Sequence, residues 1–344
     1  MMFEYSGDGC SVPKDVISVR FNEGLQKIAY RAFSICASLE SITLPPTITE
    51  ISISAFSDCS NLREVTLNDG LQKIGDGSFH NCLSLENITI PSTVTEIGAG
   101  AFNCCVNLRV VELNEGLQKI GTSTFYNCGS LESIILPSTV TEICNYAFYY
   151  CRNLRAVALN DGLQKIGVWT FYNCESLESI TLPSTVTEIG NYSFYGCRNL
   201  REVQLNGVPQ CFMSEAFPNC DALERFLFPT ISYRLENIIQ TSHWDELEDK
   251  LNEVRGVLQW ESDELFVSRA TAHNWNDIRR DLGKITRLVS YYELKEATAS
   301  FELALWKSKL DQVVATNNTN RAAYRIDVPG PVKDTMLEYL IHYI

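Results

Sequence analysis

Apolar residues recur along the first two thirds of the chain at a fixed spacing. A phenylalanine, a cysteine three residues later and a leucine three residues after that return every 23 residues through nine units. After each leucine, apolar and polar residues alternate, as in Leu85, Ile88 and Ile90, and this predicts a strand with its apolar side chains inward. A fixed period of this length predicts a solenoid in which each unit forms one turn.

Each unit contains a second, shorter extended segment. In residues 82–104, Pro91 ends the first strand because it lacks the N–H that a ladder needs. Val94 and Ile97 then form the second segment on the opposite wall. We therefore predict a β-rich solenoid with a parallel sheet of ten strands over residues 13–229. A separate, mainly α-helical domain follows at 230–344.

The units alternate between two kinds. Residues 136–143 and 182–189 read L-P-S-T-V-T-E-I, whereas residues 67–74, 113–120 and 159–166 read L-N-[DE]-G-L-Q-K-I. The true period is therefore two units, or 46 residues.

Charge offers an explanation of this alternation. Stacked turns place equivalent residues about 4.7–4.9 Å apart, where like charges repel and opposite charges attract. Two rows of residues alternate in sign from turn to turn, so we predict two structural charge ladders and no charged ligand site on either row. One ladder comprises Glu40, Arg63, Glu86, Arg109, Glu132, Arg155, Glu178, Arg201 and Glu224; the other comprises Lys27, Glu50, Lys73, Glu96, Lys119, Glu142, Lys165 and Glu188.

The repeated cysteines allow three interpretations. The simplest is a small inward residue whose S–H donates weakly to a nearby carbonyl. Zinc binding fits poorly because tetrahedral sites use short Cys spacings with a partner pair, and disulfides between turns would not persist in a reducing compartment. The repeated positions are Cys36, Cys59, Cys82, Cys105, Cys128, Cys151, Cys174, Cys197 and Cys220.

Residues 177–197, LESITLPSTVTEIGNYSFYGC, carry almost the whole pattern L-x-x-I-x-L-P-x-x-[VI]-x-x-I-G-x-x-[AST]-F-x-x-C. This pattern resembles the treponemal-type, or BspA-like, leucine-rich repeat. The resemblance implies a leucine-rich-repeat solenoid and a binding function. Relatives in this family include surface adhesion proteins, which carry export signals.

The 23-residue period stops after Pro229. Ser242–Asp245 resembles a capping box that opens a helix, and short apolar runs at 257–260 and 265–267 predict a hairpin. Apolar stripes at 278–292 and 303–313 predict further helices, and Pro331 suits the start of a last one. This tail resembles that of intracellular leucine-rich-repeat proteins of diatoms and similar algae.

Charge and composition exclude several functions. The net charge of −14 disfavours a nucleic-acid binder, which needs a basic face. The first residues lack a basic region followed by an apolar core, which predicts no signal peptide. No run approaches the roughly 18 apolar residues of a membrane span, so we predict no membrane insertion and a cytoplasmic location.

Catalytic motifs are missing from the sequence. The four histidines lack metal-ligand spacing, and no H-E-x-x-H, G-x-x-x-x-G-K-[ST] or G-x-S-x-G occurs. We predict a non-enzymatic protein-interaction scaffold without cofactor or metal. The alternatives are a surface or secreted adhesion protein and, third, an enzyme with a cryptic site in the helical tail.

Two groups of residues depart from the repeat pattern and are candidate partner-binding surfaces. The first is a set of aromatic residues on either side of the repeated phenylalanine, which we call the aromatic strip; its other interpretation is a packed ladder that stabilises the edge. The second, the sheet-face patch, interrupts a polar face with apolar side chains. The strip comprises Tyr126, Tyr146, Tyr149, Tyr150, Trp169, Tyr172, Tyr192 and Tyr195; the patch comprises Val110, Ile135, Ala156 and Ala158.

Overall fold

A computed structural model describes residues 2–207, 211–212, 216–239, 244–254, 258–261, 264–268 and 275–316. The chain divides into two compact units. One consists of Met1–Ser232 with Val257–Arg279, and the other of Tyr233–Gly256 with Arg280–Ile344.

The first unit contains the predicted solenoid. Its first wall is formed by ten short strands, one per turn, and five neighbouring pairs of these strands are hydrogen-bonded in parallel. The leucine-rich-repeat solenoid with 23-residue turns is thereby confirmed. The strands are Ser18–Phe21, Ser41–Thr43, Glu64–Thr66, Asn87–Ile90, Val110–Leu113, Ser133–Ile135, Ala156–Ala158, Ser179–Leu182, Glu202–Leu205 and Arg225–Leu227.

One further strand at the start of the chain was not predicted. Met2–Tyr5 pairs in parallel with Ser18–Phe21. Tyr5 is fully buried, and its ring lies 4.9 Å from that of Phe33. This strand therefore covers the first turn of the solenoid, in a segment where the 23-residue pattern is absent.

The opposite wall is built from two-residue strands, which also pair in parallel. They are Lys27–Ile28, Glu50–Ile51, Lys73–Ile74, Glu96–Ile97, Lys119–Ile120, Glu142–Ile143, Lys165–Ile166, Glu188–Ile189 and Cys211–Phe212. The isoleucines of the first eight strands point inward and are buried.

The charge ladder predicted on this wall is present. Lysine and glutamate stand opposite each other in register, as in Lys119–Glu142 and Glu142–Lys165. Three steps form ion pairs: Lys27–Glu50 at 2.9 Å, Lys73–Glu96 at 3.5 Å and Lys165–Glu188 at 3.3 Å. These side chains are well exposed, so each pair contributes at most about 1 kcal/mol.

The other predicted charge ladder does not form ion pairs. Among the described residues, no ion pair joins successive members of the row from Glu40 to Glu224. Backbone hydrogen bonds join these turns instead, such as the bond of 2.8 Å from Arg63 N to Glu40 O. Ion pairs thus accompany the alternation of charge on the short wall, whereas backbone hydrogen bonds join the turns along the other row.

Hydrogen bonds between turns supply a second cause of the alternation. In the L-P-S-T units, Thr139 Oγ1 donates to Leu117 O at 2.7 Å. In the L-N-[DE]-G units, Asn160 Nδ2 donates to Pro137 O at 2.8 Å and to Val140 O at 2.9 Å. Each kind of unit thus bonds back to the other kind through a different side chain, which favours strict alternation.

The interior repeats in every turn. The inner phenylalanine ladder, Phe33 to Phe217, stacks with ring centroids 4.7–5.6 Å apart and nearly parallel planes. The nine repeated cysteines are fully buried free thiols. Cys59 Sγ donates to Phe33 O at 3.0 Å, and Cys82 to Cys220 do the same one turn further on each time. The simplest interpretation of the cysteines is confirmed.

The last solenoid strand is covered by the predicted hairpin. Gln259–Glu261 pairs antiparallel with Glu264–Ser268, and the latter pairs antiparallel with Arg225–Leu227. Ser232 Oγ accepts a hydrogen bond of 2.9 Å from Leu265 N. The hairpin therefore closes the sheet edge at this end, although it lies beyond residue 229.

Among the described residues, three helices follow the repeats: α1 (Pro229–Ile239), α2 (Trp244–Val254) and α3 (Trp275–Thr316). The two apolar stripes at 278–292 and 303–313 belong to one helix of 42 residues. In the second unit, Arg234 of α1 forms a double hydrogen bond with Glu293 of α3, and this bond lowers the pKa of Glu293. The helix predicted from Pro331 lies outside the described residues.

Candidate interaction surface

The aromatic strip lies on loops that connect the short wall to the next cysteine. Each loop carries the buried phenylalanine of its turn and bonds to the loop of the next turn, as in the 2.8 Å bond from Phe125 N to Ala147 O. We call these segments the edge loops: 30–35, 53–58, 76–81, 99–104, 122–127, 145–150, 168–173 and 191–196. Stacking of the edge loops forms one continuous lateral edge of the solenoid.

Two positions of every edge loop have left-handed backbone. They lie two residues before and two residues after the phenylalanine, with φ between 52° and 70°. Glycine or asparagine suits this conformation, and Gly77, Gly100, Asn81 and Asn127 occupy it in the middle of the edge.

Four tyrosines of the strip form an outer tyrosine ladder. Tyr126, Tyr149, Tyr172 and Tyr195 each follow the repeated phenylalanine directly. Their successive ring centroids are 4.8, 4.6 and 4.7 Å apart, with planes within 8° of parallel. Stacking thus pairs the ring faces with each other, and all four side chains stay partly exposed.

The remaining strip residues pack beside this ladder. Trp169 stacks on Tyr172 at 5.4 Å and on Tyr149 at 6.0 Å, and it meets Tyr146 and Tyr192 at 5.6 and 5.8 Å. Tyr150 contacts the edge of the ladder, 4.7 Å from Tyr149. The structure therefore brings all eight strip residues into one cluster, each of them partly exposed.

The strip is electrically neutral. Burial, and then the neighbouring phenols, raise the pKa of Tyr149 to about 12, and burial also raises the pKa of Tyr126 and Tyr172. The hydroxyls of these three tyrosines therefore stay protonated at neutral pH and can donate hydrogen bonds. One charged pair lies beside the strip: Arg152 is 5.1 Å from the Tyr150 ring, and Glu175 is 4.0 Å from Arg152.

Four of the eight strip residues have left-handed backbone. Tyr146, Tyr150, Trp169 and Tyr192 occupy left-handed positions with φ of 59°, 60°, 60° and 55°. A residue with a side chain costs about 1–2 kcal/mol there. The fold does not require aromatic residues at these positions, because other turns carry Gly, Ser or Asn at the same φ.

The sheet-face patch is exposed. Ile135 is 70% exposed and Val110 47%, and Ala156 and Ala158 are exposed as well. Ile135 and Ala158 are in register on neighbouring strands. Thr43 and Thr66 take the equivalent places in earlier turns, so the patch is a small apolar interruption of a polar face.

An apolar area at the N-terminal end of the edge was missed by sequence reasoning. Tyr30, Ile35 and Ile53 are 61%, 59% and 49% exposed. Ile35 has φ of 64°, which is rare for a β-branched residue. The signal was present in the sequence, since the equivalent residue is Asn81, Asn127 or Asn173 in other turns.

We examined the described residues for a ligand pocket, a metal site and a membrane-spanning helix. A shallow, open depression of about 710 Å³ lies beside the strands at 64–66 and 87–90, with Arg63, Asn114 and Glu115 among its lining. Within the described ranges, no three His, Cys, Asp or Glu side chains are grouped as metal ligands. No helix in that part of the chain has the length and apolar composition to cross a bilayer.

Comparison with protein-family models matches residues 12–129 and 118–242 to a family described as the BspA type leucine rich repeat region, in six copies. These ranges include the aromatic strip and the sheet-face patch. No curated protein matches significantly.

Several solved structures are similar to this chain. A leucine-rich repeat protein from Bacteroides ovatus is 28% identical, over 58% of this chain and 58% of that chain, with a TM-score of 0.46. The T. pallidum protein TpLRR is 32% identical over 51% and 82%, with a TM-score of 0.45. The pneumococcal vaccine antigen PcpA is 26% identical over 64% and 64%, with a TM-score of 0.41. This chain thus spans less than two thirds of the first and third of these proteins.

Proposed function

Because the chain belongs to the BspA-type leucine-rich-repeat family, we propose that it is a non-enzymatic protein-interaction scaffold whose aromatic strip contacts the partner. Leucine-rich-repeat solenoids are typically interaction or surface-recognition proteins, since an extended regular face suits large partners. A fold of this kind does not by itself define a partner, so the proposal depends on the strip.

The observation that carries the proposal is the backbone conformation under the aromatic residues. Three successive turns place Tyr146, Trp169 and Tyr192 where Gly77 and Gly100 stand in earlier turns. Strain of this kind persists where the surrounding structure or a function maintains it, and it is concentrated at functional sites. Stacking between the rings, worth about 0.5–1.5 kcal/mol per pair, offsets the strain without explaining why glycine was not used.

The chemistry of the strip fits a protein surface. Tyrosine and tryptophan are the common anchors of protein interfaces, and tyrosine with asparagine and serine is typical of antibody binding loops. Asn127, Asn145 and Asn173 lie among the strip residues on the same edge loops. Because the strip is neutral, we expect binding to depend little on salt, unlike binding governed by surface charge.

We weigh two alternative functions for a chain of this family. The first is a surface or secreted adhesion protein; the second is an enzyme with a site in the helical region. We favour a cytoplasmic scaffold because the eight cysteines Cys59 to Cys220 each donate to a phenylalanine carbonyl as thiols, a state that a reducing compartment maintains. Fluorescent tagging of the native protein would test the location.

The test removes the strip without straining the fold. We would replace Tyr146, Trp169 and Tyr192 together by glycine and compare the proteins that co-purify from native cells with those of the unmodified chain. Glycine suits the left-handed backbone, so the variant should fold normally and lose its specific partners.

Ile135→Thr is the matched control, since Thr43, Thr66, Thr89 and Thr181 stand at the equivalent position. The control should keep every partner. If the strip variant keeps the same partners while Ile135→Thr loses them, the sheet-face patch is the binding surface and the proposal for the strip fails. Partners kept by both variants would exclude both surfaces.

A further inference from the structure

One step of the short wall lacks the hydrogen bonds that join its other described turns. At those other steps, the residue after the isoleucine donates to the isoleucine carbonyl of the preceding turn, as from Gly75 N to Ile51 O at 2.8 Å. Among the described residues, Gly121 N makes no such bond to Ile97 O, and no strand pairing occurs at this step. The parallel ladder of the short wall therefore ends at Ile97 and starts again at Ile120.

The other sides of the same step are closed. On the first wall, Val110–Leu113 pairs with Asn87–Ile90 along its full length. On the edge loops, Phe102 N donates to Thr124 O at 2.9 Å. In the interior, Cys128 Sγ donates to Phe102 O at 3.2 Å. The gap is thus confined to one side of the turn.

A single methylene distinguishes the segment before this gap from its equivalents in other turns. Residues 113–120 read L-N-E-G-L-Q-K-I, whereas residues 67–74 and 159–166 read L-N-D-G-L-Q-K-I. The next turn brings Pro-Ser-Thr at the same distance in all three cases. Within this segment, Glu115 is therefore the residue that can account for a different conformation.

The carboxylate of Glu115 bonds forward, to the turn that follows. It accepts hydrogen bonds from Ser138 N at 3.1 Å and from Ser138 Oγ at 2.9 Å, and these bonds lower its pKa. Gly116, which has a left-handed φ of 123°, donates to Thr139 Oγ1 of the same turn at 3.2 Å. Among the described residues, the shorter Asp161 makes no such bond to the serine one turn further on.

The asparagine of this turn also bonds differently. In the aspartate turn, Gly162 N donates to Asn160 Oδ1 at 2.7 Å, and Asn160 Nδ2 donates to Val140 O at 2.9 Å in the preceding turn. In the glutamate turn, Asn114 Nδ2 donates to Ile90 O at 2.9 Å, at the end of a first-wall strand. The contact with the preceding turn is thus shifted from the short wall to the first wall.

We propose that this step is a hinge of the solenoid, set by Glu115, at which the short wall opens between Ile97 and Ile120. The first wall and the edge loops form the pivot, because their bonds across the step are intact. Each turn of a solenoid contacts only its neighbours, so a weak step divides the array into two parts. All eight strip residues lie beyond the hinge, and its opening moves them relative to residues 18–97.

Free space beside the glutamate turn allows this movement. Asn114 and Glu115 line the open depression of about 710 Å³, together with Ser92 of the preceding turn. Close packing resists displacement inside a protein, whereas a turn that borders open space can move without a clash.

Hydrogen exchange of the full chain, followed by mass spectrometry across a urea series, tests the hinge. The solenoid peptides should lose protection in two separate steps, with the boundary between Ile97 and Ile120. In the absence of urea, peptides that contain Gly121 should exchange at least about tenfold faster than those that contain Gly167. A single step, or a boundary elsewhere in the solenoid, overturns the inference.

Glu115→Asp restores the sequence of the aspartate turns. It should merge the two unfolding steps into one and bring the exchange at Gly121 to the rate found at Gly167. Glu115 is exposed, so the substitution leaves the interior unchanged, and thermal melting checks that the variant is folded. If the two steps persist in this variant, Glu115 does not set the hinge and the inference is overturned.

Asp161→Glu is the reciprocal variant. It places the same longer carboxylate one turn before Ser184, so it should open a second gap between Ile143 and Ile166. Exchange at Gly167 should then rise about tenfold, while exchange at Gly75 stays as in the unmodified chain. Unchanged protection of Gly167 in a folded variant would show that the added methylene does not open the wall, which contradicts the proposed cause.

Discussion

The inner phenylalanine ladder and the outer tyrosine ladder have the same geometry and different origins. Both stack rings about one turn apart, at 5.5 Å between Phe125 and Phe148 and at 4.8 Å between Tyr126 and Tyr149. The inner ladder is present in every turn and is buried from Phe33 to Phe194, whereas the outer ladder occupies four turns and stays partly exposed. The first is therefore a requirement of the fold, and the second is an addition to it.

The residues around the two ladders support this distinction. Next to the phenylalanines stand cysteines that donate hydrogen bonds in each turn. Next to the tyrosines stand Tyr146, Trp169 and Tyr192 on left-handed backbone. The interior is thus free of backbone strain at its repeated positions, while the edge carries strain that stability alone does not explain.

The largest expected effect is unfolding at alkaline pH, caused by the buried cysteines of the interior. Burial raises the pKa of Cys59, Cys105 and Cys151 from 9.0 to about 12. The unfolded thiols then ionise first, so the stability they contribute is complete below pH 9 and is lost as the pH rises from 9 towards 12. Urea titrations at intervals across this range should show a falling midpoint.

Thiol modification gives a check on this pH dependence. At pH 8 an aromatic disulfide reagent should modify the partly exposed Cys104 quickly and the nine repeated cysteines only after unfolding. Rapid reaction of the repeated cysteines in the native chain would contradict their burial in the interior.

The largest effect of a single substitution should come from the inner ladder. Phe125→Ala removes a fully buried ring between Phe102 and Phe148, and such changes cost about 3–5 kcal/mol. Urea denaturation measures the loss. The neighbouring Tyr126→Ala is the matched control and should cost far less; equal costs would remove the distinction between the ladders.

The sequence predicted the interior well because each interior position repeats nine times. The period defined the strands, and the free buried cysteines followed from their spacing of 23 residues. The eight strip residues were singled out because they depart from an established pattern, and their role in binding stays a prediction. The charge ladder on the short wall was predicted correctly from the alternation of Lys119, Glu142 and Lys165.

Features without a repeat could not be read in this way. Met2–Tyr5 lies before the first period, so its pairing with Ser18–Phe21 occurs once and leaves no repeated pattern in the sequence. The bond from Asn160 to Pro137 joins two turns, and the sequence shows only that Asn recurs.

A moderate effect is expected in the outer ladder. Tyr149→Ala removes a ring that stacks on Tyr126 and Tyr172, and we expect a loss of about 1–2 kcal/mol, since each stacked pair contributes about 0.5–1.5 kcal/mol. The midpoint of urea denaturation is the measurement. A loss as large as that of Phe125→Ala would show that the outer ladder is part of the core.

The smallest change in the free energy of unfolding should come from Trp169→Gly, for which Trp169→Ala is the control. Both Trp169→Gly and Trp169→Ala remove the contacts with Tyr149 and Tyr172, but only glycine relieves the left-handed backbone at φ of 60°. We expect the glycine variant to lie within about 0.5 kcal/mol of the unmodified chain and the alanine variant to be about 1 kcal/mol less stable than the glycine variant. If the two variants are equally stable, position 169 stores no strain, and the main argument that the aromatic edge serves binding is lost.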